Sequence, residues 1–301
     1  ISANEMYKGS IVSEDGTSTL VVFTLDDEAD VNQVAQEVID KTQALNLDEK
    51  LYYIGSPMLI TYIADLMKKD LSTLLPVAFI LIGIILFISF RSWNGVILPL
   101  LSALIALIWS LGSMGLMGYS MSMISNNIPI ILLAIGSAYT IHVVNRVNQV
   151  RAQNIGNPVS TALGHGLVPV ILAAITTAIG FVSFVFGAYL EMIVDFGIFT
   201  ALGTFFACLL SIFFVPAVLE AFSIKQRLSD KPAKENKIDR SGFFTDMSHV
   251  LFNRTKLILA LWLIAIAISV TGIFSIKRSV DIQEYFKEGN PTRQAENIMV
   301  E

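Results

Sequence analysis

Charge is almost absent from the middle of this chain. Between Leu71 and Leu219 the charged residues are only Arg91, Arg146, Arg151, Glu191 and Asp195, whereas the whole chain of 301 residues carries 20 basic and 25 acidic side chains. A soluble fold of this length needs charge over its surface, and several of the charge-free runs reach the roughly 20 residues that a membrane-spanning helix requires. The distribution predicts a membrane protein and disfavours a soluble enzyme or a disordered chain.

Composition excludes two further classes of protein. The net charge of −5 and the sequence pI of about 5.3 argue against a nucleic-acid-binding protein. The single cysteine, Cys208, cannot form a disulfide within the chain, so a small scaffold held together by disulfides is excluded as well.

The apolar stretches predict six membrane spans. The charge-free stretch from Ser92 to Asn145 is too long for one helix, and its polar interruption between Gly118 and Asn127 divides it into two. The predicted spans are 74–90, 96–117, 129–147, 167–187, 196–219 and 257–276.

Basic residues predict how these spans are oriented. Arg91 follows the first span, Arg146 and Arg151 follow the third, and many more basic residues lie in or beside the connection after the fifth, whereas the alternate connections 118–128 and 188–195 contain none. Basic residues are retained on the cytoplasmic side. The chain is therefore expected to be a multi-pass protein of the inner membrane, with 220–255 as a cytoplasmic linker and residues 1–70 and 277–301 extracytoplasmic.

Residues 1–70 have the pattern of a water-soluble α+β segment. Asp15-Gly16 lies between two apolar runs and predicts a hairpin, Asp30 with Gln33 predicts the start of a helix, and 51–54 predict a returning strand. A helix is predicted to begin at Gly55-Ser56-Pro57 and to continue into the first span. This segment is too small for a core of its own, and the chain begins with Ile1, so we expect an excerpt from a longer polypeptide.

Several motifs lie in order along the predicted spans. They are Gly55-Ser56-Pro57, Phe90-Arg91-Ser92, Gly136-Ser137-Ala138-Tyr139-Thr140-Ile141-His142, Thr176-Thr177-Ala178-Ile179-Gly180-Phe181, Asp195-Phe196-Gly197 and Val215-Pro216-Ala217. This order resembles the resistance-nodulation-division superfamily, and more closely its MMPL-like, hydrophobe-exporter branch with five helices arranged as in sterol-sensing domains.

The resemblance implies a mostly α-helical polytopic membrane protein with six transmembrane helices and part of an α+β, ferredoxin-like porter domain. Residues 1–70 would form the C-terminal part of the first extracytoplasmic domain, 71–219 a five-helix bundle equivalent to family helices two to six, and 256–276 helix seven. Residues 220–255 would link the two halves, and 277–301 would begin the second extracytoplasmic domain.

The same resemblance implies secondary-active export of a hydrophobic or amphiphilic substrate, including lipid, driven by an ion gradient. The alternatives are a non-transporting, lipid- or sterol-sensing membrane module and an accessory motor for protein export. The expected partners are membrane lipids, the substrate, and a homo-oligomer or accessory periplasmic proteins, without nucleic acid. No Walker-type Gly-Lys-Ser/Thr string or Ser-His-Asp grouping occurs, so neither enzymatic activity nor a cofactor or metal is expected.

The fourth helix of the family carries an acidic residue where this chain has Ala138, which cannot bind a proton. His142 lies four residues further on and Asn145 seven, so both share a face with Ala138, and imidazole changes its charge near neutral pH. The predicted ion-coupling and transport residues are His142, Tyr139, Ser137, Ala138, Thr176 and Thr177. The alternatives are that His142 is neutral and hydrogen-bonded between helices, or is solvated near the inner headgroups, and that the two threonines bond to their own preceding turn or to a neighbouring helix.

Glycines within the spans are expected to allow close helix packing. These glycines are Gly112, Gly115, Gly136 and Gly180. Their absent side chains permit two helix backbones to approach each other in the membrane.

Overall fold

The computed structural model describes residues 11–13, 17–24, 29–153, 158–221 and 254–274. The chain divides into two units, one of which is Ile1–Leu66 with Asp281–Glu301 and the other Met67–Val280. Each unit is described by itself.

The first unit contains helix α1 (Val31–Ala44). The backbone N–H of Gln33 donates to Asp30 Oδ1 at 3.2 Å, so the predicted helix start at Asp30 is confirmed. Gln33 and Lys41 donate hydrogen bonds to Glu37 and hold the pKa of that exposed carboxyl below its usual value. Thr42 Oγ1 and Tyr53 Oη lie 2.6 Å apart and connect α1 to the segment that follows it.

Among the described residues of the first unit, extended pairing is limited to one antiparallel bridge between Val12 and Thr19. It lies where the hairpin is predicted, although Asp15-Gly16 falls outside the described residues. Residues 51–54, predicted as a strand, carry no strand pairing. In the described part of the chain there is thus no sheet, and the α+β domain stays a prediction.

Within the residues that the structure describes, six helices are long and apolar enough to cross a membrane, in agreement with the predicted number of spans. They are α2 (Ser56–Phe90), α3 (Trp93–Leu116), α4 (Ile128–Ala152), α5 (Pro158–Gly187), α6 (Glu191–Leu209) with its continuation, and α8 (Thr255–Ile273). Helix α2 begins at Ser56, as the predicted continuation from Gly55-Ser56-Pro57 into the first span requires. One tight turn (Ser125–Asn127) precedes α4.

Helices α3, α4, α5 and α6 pack on one another and form the core of the second unit. Helix α2 adds a single stripe, in which Leu86 packs against Val96, Leu100 and Ala103 of α3. Within 74–90 its remaining faces are mostly apolar and exposed, as is nearly all of α8, whereas the first half of α2 also carries Asp65, Lys68, Lys69 and Asp70. A helix that is apolar on all sides suits a lipid environment, so these exposed faces are expected to contact acyl chains.

Close backbone approaches hold α4 and α6 in place. A Cβ added to Gly136 would lie 3.1 Å from Ala103 Cα of α3, and one added to Gly203 would overlap the side chain of Leu132 of α4. At Gly112, Gly115 and Gly180 an added Cβ would meet no atom within 4 Å in the described part of the molecule. The packing role of those three glycines stays a prediction.

A wider turn interrupts the fifth span. After Leu209 the backbone forms a π turn (Leu210–Phe214) and then continues as α7 (Val215–Ala221). Pro216 lies four residues after Ile212, so it cannot donate an α-helical hydrogen bond to the Ile212 carbonyl and its ring would collide with that carbonyl. The π turn relieves this collision without ending the helix.

Candidate functional site

The predicted site residues of α4 lie on two different sides of the helix. Ser137 is buried and donates to the Ala134 carbonyl one turn earlier at 2.9 Å. Tyr139 is also buried, and its hydroxyl lies 3.5 Å from the Ala173 carbonyl of α5 and beside Thr177. Tyr139 is therefore covered by α5, whereas Ser137, two residues earlier, lies on another buried side of α4.

Both threonines of α5 donate to carbonyls of their own helix. Thr176 Oγ1 lies 2.9 Å from the Leu172 carbonyl and Thr177 Oγ1 lies 2.8 Å from the Ala173 carbonyl. The Ala173 carbonyl oxygen therefore accepts a hydrogen bond from the Thr177 hydroxyl and also lies near the Tyr139 hydroxyl. This is the local bonding that sequence reasoning offered as the alternative for these threonines, and only Thr177 is brought next to Tyr139.

The other side of α4 is open. Ala138 is half-buried, whereas Ala134, His142, Asn145 and Gln149 are exposed. These five residues are spaced by three or four positions and form one stripe along the helix, which we call the open face of α4. The side chains of His142 and Asn145 make no hydrogen bond to any residue that the structure describes.

The open face differs from the other exposed surfaces of the bundle. Helices α2, α5 and α8 expose large apolar side chains, whereas the open face presents alanine, imidazole and amide groups. Small and polar side chains in a membrane span are typical of helix–helix interfaces rather than lipid contact. The chemistry of the open face thus suits another helix better than acyl chains.

Sequence reasoning missed a polar contact in the core. Thr140 Oγ1 and Ser211 Oγ lie 3.0 Å apart, and both residues are 0% exposed. Thr140 lies within the motif quoted for α4, and Ser211 belongs to the π turn caused by Pro216. The sequence motifs therefore include Thr140 and a proline close to Ser211, but they do not predict the contact between the two residues across 71 positions.

Comparison with known proteins identifies the family. Residues 1–262 match the MMPL family. This chain belongs to the MMPL family. A Methanocaldococcus jannaschii protein named as a membrane protein is 34% identical over 167 residues, which are 55% of this chain and 43% of that protein. The MMPL chain thus spans less than half the length of that relative, and the family resemblance drawn from the ordered motifs is confirmed.

The Thr140–Ser211 contact of the MMPL chain leads to a prediction. We expect Thr140→Val to lower the free energy of unfolding, because it removes a buried hydroxyl from a contact between helices. Coupling energies of such pairs in membrane proteins average about 0.6 kcal/mol and reach about 1.7 kcal/mol. A double-mutant cycle with Ser211→Ala, measured by unfolding of the purified protein in mixed micelles, gives the coupling directly.

The matched control is Thr176→Val, because Thr176 is exposed and donates only within α5. That variant should leave the coupling energy between positions 140 and 211 unchanged. A coupling energy of zero for the Thr140–Ser211 pair would show that the two hydroxyls do not stabilise the fold together.

Metal sites in proteins are built mainly from His, Cys, Asp and Glu side chains. Within the described ranges, no three such side chains come together as a metal site.

Proposed function

We propose that this MMPL chain is the central part of a secondary-active exporter that moves a hydrophobic or amphiphilic molecule, including lipid, out of the inner membrane. An ion gradient supplies the energy. Family membership and six apolar helices support this proposal. Because the chain spans less than half of its relative, the proposal concerns the whole protein of which it is a part.

The open face of α4 is the observation that carries the proposal. A titratable side chain in a membrane span is energetically costly, so its presence points to a functional site. His142 lies on this face, about 21 Å along α4 from Ile128 at 1.5 Å per residue. That depth is within the hydrocarbon core of about 30 Å. A helix from the other half of the exporter would pack on the open face and place its own polar groups beside His142.

The proposed organisation follows the boundaries expected from sequence. Residues 1–70 and 277–301 belong to extracytoplasmic domains, 71–219 to the five-helix bundle, 220–255 to a cytoplasmic linker and 256–276 to helix seven. In the first unit Val21 and Val22 are 78% and 73% exposed. Apolar side chains at such exposure support an extracytoplasmic domain that further residues complete, with a sheet of the ferredoxin-like type.

In the proposed mechanism His142 carries the proton. Ala138 occupies the position at which the family has an acid and cannot titrate, whereas imidazole exists in both charge states near neutral pH. Protonation would place a positive charge on the open face and alter its packing against the opposing helix. Tyr139 and Thr177 would fix the position of α4 on α5 behind His142, whereas Ser137 and Thr176 would act within their own helices, through bonds to the preceding turn.

Transport by the full-length protein tests this proposal. We expect proteoliposomes with an imposed pH gradient to move an NBD-labelled phospholipid or ethidium, and we expect His142→Phe to lower the rate at least about tenfold, since positioned proton carriers contribute factors of this size or more. The measurement is the initial fluorescence change with and without the gradient.

His142→Gln is the matched variant, because glutamine keeps a polar side chain but does not titrate near neutral pH. A proton carrier requires both variants to lose the gradient-dependent rate. If the His142→Phe variant were expressed normally and transported at the wild-type rate, His142 would not be the proton carrier. The second candidate function is a lipid-sensing module, because Ala138 cannot bind a proton. It would be favoured if the wild-type protein bound lipid but showed no gradient-driven transport.

A further inference from the structure

Arg146 is a half-buried charge near one end of α4. Its Nη1 donates to Gln149 Oε1 at 3.2 Å, and its Nε is buried without a hydrogen-bond partner. Among the residues that the structure describes, no carboxylate lies within ion-pair distance of this guanidinium. Partial burial of an unpaired charge is costly, so a negatively charged group is expected to reach it.

The position of Arg146 along α4 indicates which anion that is. Arg146 lies 18 residues after Ile128, or about 27 Å at 1.5 Å per residue, and the hydrocarbon core is about 30 Å thick. The guanidinium is therefore at the level where the core ends and phosphate groups begin. Gln149 lies a further turn along the helix, in the headgroup region.

The surroundings of Arg146 differ on its two sides. Arg146 follows Tyr139 by seven residues and so lies on the side of α4 that Tyr139 presents to α5. Its other neighbours, His142, Asn145 and Gln149, belong to the open face. Arg146 thus lies at the border between a packed side and an open side, and basic groups between membrane helices at this depth suit lipid headgroups.

We propose that Arg146, with Gln149, binds the phosphate group of a lipid at this end of α4. Guanidinium binds phosphate through two parallel N–H···O bonds. The edge formed by Nε and the adjacent Nη2 is not used by the bond to Gln149, and because Nε is buried here, the guanidinium would turn toward the open face to present this edge to a phosphate. Headgroup phosphate and free inorganic phosphate share this chemistry, and the acyl chains distinguish them. The site involves neither proton transfer nor transport, so it stands independently of the proposed function.

Lipid binding to the full-length protein in detergent tests the site, measured by native mass spectrometry and by the shift of the thermal unfolding midpoint. The probes are phosphatidylglycerol, diacylglycerol with the same chains, and inorganic phosphate. We expect saturable binding of phosphatidylglycerol, and we expect Arg146→Gln to weaken it at least about tenfold, the factor for loss of one charge-assisted hydrogen bond.

Arg91→Gln is the matched control, because it removes the same charge from an exposed arginine in the turn between α2 and α3, on the same side of the membrane. It should bind phosphatidylglycerol like the wild-type protein. Arg146→Lys keeps the charge but loses the two-bond geometry, so it should bind phosphatidylglycerol with intermediate affinity. It provides the test of the site if Arg146→Gln does not fold.

Three results would overturn or redirect the assignment. Equal affinity of the wild-type, Arg146→Gln and Arg146→Lys proteins would remove Arg146 from the site. Equal binding of diacylglycerol would show that acyl chains alone are recognised. Inorganic phosphate that binds as tightly as phosphatidylglycerol, and through Arg146, would support the phosphate site and reject a lipid as its source.

Discussion

Phe199→Ala is expected to lower the free energy of unfolding by about 3–5 kcal/mol, the cost of deleting a fully buried aromatic side chain. Phe199 is 0% exposed and its ring meets Tyr119 edge to face, with centroids 5.1 Å apart. Its carbonyl accepts a hydrogen bond from Ser110 Oγ of α3 at 2.8 Å. Such packing contacts hold helices together in a membrane, and they are lost when the substitution leaves a cavity.

Phe205→Ala is the matched control on the same helix. Phe205 is 55% exposed and makes one ring contact, with Phe206 at 6.0 Å. Its loss should cost no more than about 1.5 kcal/mol, the upper value for an aromatic pair. The measurement is reversible unfolding of the full-length protein in mixed micelles, and similar losses for the two variants would show that α6 is not packed as described.

Gly197→Ala is expected to destabilise the protein by about 1–3 kcal/mol, the usual cost of overpacking. An added Cβ would lie 2.7 Å from the Phe181 carbonyl oxygen and 2.9 Å from Phe184 Cβ. Because the first of these atoms belongs to the backbone, α5 and α6 must move apart. The rings of Phe181, Phe184 and Phe196, whose centroids lie 5.8 to 6.4 Å apart, would then separate.

Gly180→Ala provides a control of opposite sign. An added Cβ at Gly180 meets no described atom within 4 Å. Alanine in a helix interior stabilises the helix by about 1 kcal/mol relative to glycine. This variant should unfold at the wild-type midpoint or above it. If Gly197→Ala also kept the wild-type midpoint, the close approach of α5 and α6 at Gly197 would be wrong.

The features that sequence predicted well depend on nearby residues. The six spans follow from apolar length, and the start of α1 follows from Asp30, whose carboxylate bonds to a backbone group three positions away. The continuation of the helix from Ser56 through Phe90 also follows from an unbroken local pattern. Local composition determines each of these features, so a single sequence is enough to predict them.

The relation between His142 and Tyr139 shows where local reasoning ends. Helical spacing correctly groups His142 with Ala138 and Asn145, but it contains no information about which helix each side of α4 meets. Tyr139 faces α5, whereas His142 lies on the open face. Contact with α5 is made across 34 positions of the chain, and such distant packing depends on the shapes of all the core helices together.

The π turn gives the fifth span a property that an uninterrupted α-helix lacks. A π turn accommodates one extra residue in the helix, and one residue corresponds to about 100° of rotation in an α-helix of 3.6 residues per turn. The part before the turn packs Phe199, Thr200 and Ala207 into the core, and the part after it packs Val215 and Leu219 there. The register of contacts at one end of this span is therefore set separately from the register at the other.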